Sequence, residues 1–194
     1  MIRIVGPRDS HYDRNTCRVI NTTSRASGVD SWSRGLSPFF LGPVELYGGA
    51  RSHNVENAWQ YAKVYKRHVG SDGNPTQDYF EWAQEGWRTQ RAVRYPMGKG
   101  TFPEYSWWDG QKLSYVEARK KIYVPLYTKA VVDTKAFEKL CELHEKLDEI
   151  WLWDFDGYDH VKLAKSLKEV LNDPAKKMGH AFVLAMILEA MGKR

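Results

Sequence analysis

The chain has 194 residues, 42% hydrophobic and 27% charged, with a formal net charge of +5 and a pI near 9.1. That balance is ordinary for a globular protein and excludes a disordered polyelectrolyte or a histone-like excess of positive charge. The longest apolar run, Ala181 to Leu188, is too short to cross a bilayer, and MIRIVGPRDS has no apolar signal core, so a soluble cytoplasmic protein with no membrane partner is expected.

Two cysteines, Cys17 and Cys141, stand in unrelated contexts. They form no CxxC pair, so neither a zinc site nor a disulfide framework is expected. Trp (8) and Tyr (11) are used more freely than Phe (7). Such residues build a core, but also stacking platforms for bases or sugars.

In chain order, Ile2 to Val5 reads as an edge strand ended by Gly6-Pro7, and Cys17 to Ile20 as a second strand. Ser24 to Gly35 is Ser- and Gly-rich and reads as loop. Val44 to Tyr47 reads as a strand, after which Gly48-Gly49 leads towards a helix opened by Asn54 as N-cap and running to about His68. Pro75 suits the first turn of a helix to about Val93. Tyr95 to Trp108 reads as irregular and aromatic. The spacing of Leu113, Val116, Ile122, Leu126 and Ala130 predicts a helix over 111–130, kinked by Pro125. A further helix is predicted over 135–146, then a buried strand over 150–153 and an aspartate-rich loop. Helices over 161–171 and 178–191 follow. The sum is one compact α+β domain over 1–194, predominantly helical, with a few short strands.

Four groups of residues could carry chemistry. In NVENAWQYAKVY, Glu56, Gln60 and Lys63 fall on one helical stripe. The plainest reading is a carboxylate suited to the helix dipole on a solvated face. The chemical reading is an acid that protonates a leaving group or steers water, with an amine that counters phosphate or attacks a carbonyl carbon. Gly98-Lys99-Gly100 would let the backbone approach an anion beside a point charge, or is a plain surface turn. Trp153 to His160 places Asp154, Asp156, Tyr158 and Asp159 directly after a strand, where they could act on ribose or serve as an Asx-turn and helix cap. Gly179-His180 opens an apolar helix, either as an anion-binding N-terminus or as a packing contact.

Together, in this order, these groups resemble the NADAR (YbiA-like) family. Ser37-Pro38-Phe39, Gly42-Pro43 and Val55-Glu56 with Gln60 and Lys63 look like its SPF segment and its VEHxxQxxK helix, with Asn57 standing where the family has His. Gly98-Lys99-Gly100 with Trp107-Trp108 looks like its glycine-and-basic loop and the tryptophan beyond. Asp154 to Tyr158 sits where the family has Asp…Trp-Gly, which is not reproduced literally, and Met178-Gly179 resembles its LG helix start. The resemblance covers about residues 33–188.

What it implies is a metal-free, cofactor-free N-glycosidase in a compact, mostly helical α+β domain. The substrate would be a phosphorylated riboflavin-pathway intermediate, or ADP-ribose attached to guanine in DNA, as in phage-type members that reverse toxin-mediated ADP-ribosylation in a host cytoplasm. The resemblance makes Glu56, Lys63 and Asp154 the expected catalytic residues. It makes Ser37, Asn57, Gln60, Gly98, Lys99, Gly100, Trp107, Trp108, Asp156, Tyr158, Gly179 and His180 the expected ligand-binding residues. A non-catalytic module binding ADP-ribose or nucleic acid is the alternative.

Overall fold

The computed structural model describes residues 1–9, 12 and 17–192 and has an α+β fold. Strand β1 covers Ile2–Val5 and β2 covers Val19–Asn21, followed by a 3-10 stretch over Gly28–Leu36. The short strands β3 (Val44–Glu45) and β4 (Arg51–Ser52) make a two-stranded antiparallel pair. Helix α1 is Val55–Tyr61 and strand β5 is Lys63–Val64. Helix α2 is Gln77–Arg88, and β6 (Tyr105–Trp108) and β7 (Gln111–Leu113) form a hairpin. Helix α3 (Tyr115–Ala118) runs into a π-helical turn over Arg119–Tyr123 and then into α4 (Val124–Val131). The remainder is α5 (Lys135–Lys146), β8 (Ile150–Trp153), α6 (Leu167–Asn172) and α7 (His180–Met191).

The packing sorts the chain into two compact units, residues 1–37 with 127–194, and residues 38–126. In the first, β8 is the centre of a three-stranded sheet and pairs in parallel with both β1 and β2. IWLW is buried along most of its length, as a central parallel strand must be. Helix α7 packs on β1 with His180 to Ala185 all buried, and α5 lies on the 3-10 stretch. Gly6 and Gly157 bring two backbones together so closely that a Cβ on either would run into the other segment.

In the second unit α1 packs on α2 around Tyr61, Val64, Tyr79, Ala83 and Trp87. Gly86 lets the Tyr61 ring lie against the α2 backbone. A second cluster joins Ala62, Leu113, Ala118 and Ile122. Strands β5, β6 and β7 form an antiparallel sheet.

Several elements differ from the sequence expectation. Helix α1 stops at Tyr61 instead of reaching His68, because Lys63 and Val64 pair with Ser106 and Tyr105 of β6. Pro75 lies outside α2, bridged to Val69, and the helix ends at Arg88. Residues 111–130 are a strand, a short helix and a π turn before α4. Ser114 breaks the run by forming a capping box with Glu117, and the π turn lies immediately ahead of Pro125, which has no N–H to continue the helical ladder. Trp107 and Trp108 belong to β6 rather than to an irregular loop. Ser24 to Gly35 is largely 3-10 helix, β2 lies two residues later than expected, and the strand from Val44 ends at Glu45. Residues 161–164 are a turn rather than helix, and α6 starts later, at a second capping box formed by Ser166 and Glu169.

Candidate functional site

Helix α1 begins with its backbone donors accounted for. The Asn54 side chain accepts from Asn57 N–H at 2.8 Å, while Val55 and Glu56 N–H donate to the carbonyls of Leu41 and Pro38. The segment that follows Ser37 is thus the seat of the helix start.

One turn in, a chain of charge-bearing groups is assembled. Glu56 is 5% exposed. Gln60 Nε2 donates to Glu56 Oε1 at 2.9 Å, and Lys63 Nζ donates to Gln60 Oε1 at 2.7 Å. Lys63 Nζ also lies 4.8 Å from the centre of the Trp59 ring. Both contacts are those of an ammonium group. The three residues meet as the sequence spacing predicts, although Lys63 reaches Gln60 from a strand and not from the same helix. The glutamine amide is used at both ends, so it fixes the acid and the amine relative to one another.

Trp59 sits in an aromatic cluster with Tyr123 at 5.1 Å and Tyr115 at 6.3 Å. The Arg119 guanidinium lies 4.1 Å from the Tyr115 ring centre, and Arg119 is the largest side chain among those fully buried. Arg119 was not among the residues expected from sequence. Its signal was only one cation in the run Arg119-Lys120-Lys121, and nothing in that run tells which one faces inwards.

Asn57 has a different task from the one expected. It is fully buried, and Nδ2 donates to the carbonyls of Thr89 and Arg91 while Oδ1 accepts from Val93 N–H. Both its donors are committed to backbone, so it is a clamp on residues 89–93 and not a ligand contact. Trp107 and Trp108 are half-buried packing residues, meeting Phe80 and Tyr47 edge-on. Gly98 and Gly100 adopt φ of 89° and 93°, conformations that favour glycine, and Lys99 between them is exposed.

The expected residues of the first unit form a separate group. Asp154 Oδ2 lies 3.1 Å from His180 Nδ1 and accepts from Ala181 N–H at 3.2 Å, while Oδ1 accepts from Asp156 N–H at 3.4 Å. His180 Nε2 faces the Thr22 carbonyl at 2.8 Å. Both ring nitrogens therefore face acceptors, which is the arrangement of an imidazolium. Burial pushes the Asp154 carboxyl up, but the His180 charge and hydrogen bonds overcome this and hold it at about 2. Gly179 is required beside it, since a Cβ there would run into Asp154 Oδ2. Asp154 and His180 thus tie the end of β8 to the start of α7 and the end of β2. Asp156 is half-buried, and Tyr158 packs on Phe182 under the Lys176 ammonium. Asp159 accepts from Lys162 N–H and pairs with Arg3. Ser37 is buried, its N–H donating to the Arg34 carbonyl.

Among the described residues, no group of three or more His, Cys, Asp or Glu is placed to hold a metal ion, and no helix is long and apolar enough to cross a membrane. Neither the curated proteins nor the solved structures compared with the chain gave a match. A family model matches residues 9–168, a span that takes in both α1 and the aspartate loop. It is that of DUF6939, a family of unknown function, and the chain belongs to that family.

Proposed function

We propose that the protein is an N-glycosidase that releases ADP-ribose from a modified guanine in DNA, using Glu56 as its acid-base residue. The observation that carries the reading is the Glu56–Gln60–Lys63 chain, with Glu56 and Gln60 buried and Lys63 half-buried, in which one amide fixes both a carboxylate and an ammonium. The resemblance of that same stretch to the NADAR helix gives the bond type.

In the reaction the bond between ribose C1 and the base nitrogen breaks, and its electron pair leaves with the nitrogen. The Glu56 carboxylate stabilises the positive charge that develops at C1. Water then forms the new C1–O bond, Glu56 takes its proton, and that proton passes to the departing nitrogen. Gln60 Nε2 orients the carboxylate by donating to Glu56 Oε1. Lys63 offers a positive charge for the phosphates, a role that suits an ammonium lying on an indole better than attack on C1, which needs a neutral amine. Asp154, the third expected catalytic residue, takes no step: its carboxylate is engaged by His180 and the Ala181 N–H.

The test is the rate of ADP-ribose release from an ADP-ribosylated oligonucleotide. Glu56→Gln is expected to fold normally and to lose 10²-fold or more in rate, of the order that a positioned acid-base group supplies. Lys63→Met is expected to raise KM more than it lowers kcat. An unchanged rate in Glu56→Gln removes Glu56 from the chemistry.

A further inference from the structure

The segment after α2, residues 88–102 (RTQRAVRYPMGKGTF), carries Arg88, Arg91, Arg94 and Lys99 and no acidic residue. Its course is fixed from one side. Asn57 holds the carbonyls of Thr89 and Arg91 and the N–H of Val93, and Asn54 Nδ2 donates to the Gln90 carbonyl at 3.2 Å. Four of the five backbone positions 89–93 are thereby bonded to the first turn of the helix that carries Glu56. The anchoring consumes only backbone groups of the segment, and it leaves the Arg88 and Arg91 side chains exposed.

The far end of the segment is different in kind. Lys99 stands on an exposed turn between two glycines of positive φ. Phe102 is 84% exposed and Tyr95 40% exposed, and the Arg94 guanidinium lies 5.4 Å from the Tyr95 ring centre. Cations alternating with outward aromatic faces are the pattern that follows a phosphodiester backbone while stacking its bases. A base can stack on Phe102 only if it is not already paired, which favours a single strand.

We propose that residues 88–102 are a binding strap for a single nucleic-acid strand, anchored by Asn54 and Asn57 so that a bound strand runs beside the Glu56 turn. The inference rests on the proposed function for its purpose, since it says what carries the ribosylated base, but its test needs no turnover. Asn57 would act as a positioning residue for the strand, without touching it.

The experiment is fluorescence anisotropy with a labelled, unmodified 12-nucleotide single-stranded DNA. If four cations meet phosphates, affinity should fall about 50-fold between 50 and 200 mM salt. Arg88→Glu with Arg91→Glu and Lys99→Glu should abolish binding, and Phe102→Ala should weaken it about tenfold. These residues are exposed, so the variants should keep the wild-type melting temperature. Asn57→Ala should lower DNA affinity at an unchanged affinity for free ADP-ribose. Glu56→Gln should bind DNA as wild type does, whether or not the protein proves to be a glycosidase. Equal binding by the triple variant, equal or tighter binding of a duplex of the same sequence, or affinity indifferent to salt would overturn the strap.

Discussion

At the scale of single residues, two buried histidines are held in opposite ways. His180 faces a carboxylate and a carbonyl, whereas both ring nitrogens of His68 are buried with no hydrogen-bond partner. The His68 ring lies against Trp82 and Tyr79. Burial, and then the Arg67 charge, lower its pKa against the smaller opposing pull of Asp78. A proton is thus bound more tightly by the unfolded chain than by the folded one. The stability this histidine contributes is present above pH 6.5 and is lost as pH falls below it. The expected result is that His68→Phe shrinks the drop in urea midpoint between pH 7.5 and pH 5.5; an equal drop in both proteins would contradict it. Asp154 titrates lower. Its contribution is complete above the ordinary carboxylate value and is lost as pH falls towards 2. Asp154→Asn removes the carboxylate that faces His180 Nδ1 and accepts from the Ala181 N–H, and breaking this buried pair should cost about 3–5 kcal/mol in denaturant unfolding at neutral pH. A loss below 1 kcal/mol would mean that the pair does not hold the β8 end to α7.

At the scale of elements, the parts legible in sequence were those with a local cause. The buried strand β8, helix α5 and helix α7 follow directly from their apolar patterns. The hairpin of β6 and β7 was also written in the chain, as Asp109-Gly110 between WW and QKL. These two residues have φ of 46° and 78°, the positive pair that a two-residue hairpin turn requires, although the Gly, Pro and aromatic residues of 95–108 mask the strand before them. The capping boxes at Ser114 and Ser166 were equally readable. The end of α1 was not, because nothing local stops a helix at Tyr61; a strand more than 40 residues later does so. For the same reason the residue types of the Glu56–Gln60–Lys63 group were legible while the route by which Lys63 joins it was not. Gly110→Ala is expected to cost about 1 kcal/mol through its positive φ, and Leu152→Ala, at a fully buried position of β8, about 2–5 kcal/mol. Urea midpoints measure both.

At the scale of the whole molecule, the first unit is built from both ends of the chain, with Ile2 registered against Ile150. The second is continuous and contains Glu56, Gln60 and Lys63, with the basic segment beside them. Charge is distributed to match, since the net +5 of the chain includes four cations within residues 88–102 and no acid there. We propose that this arrangement breaks a ribose–nitrogen bond. The proposal is met most directly by incubating the wild-type protein with a single-stranded oligonucleotide bearing ADP-ribose on one guanine, and following both species by mass spectrometry. Free ADP-ribose is expected to appear as the oligonucleotide returns to its unmodified mass. A folded protein that leaves the modified oligonucleotide unchanged would contradict the proposal.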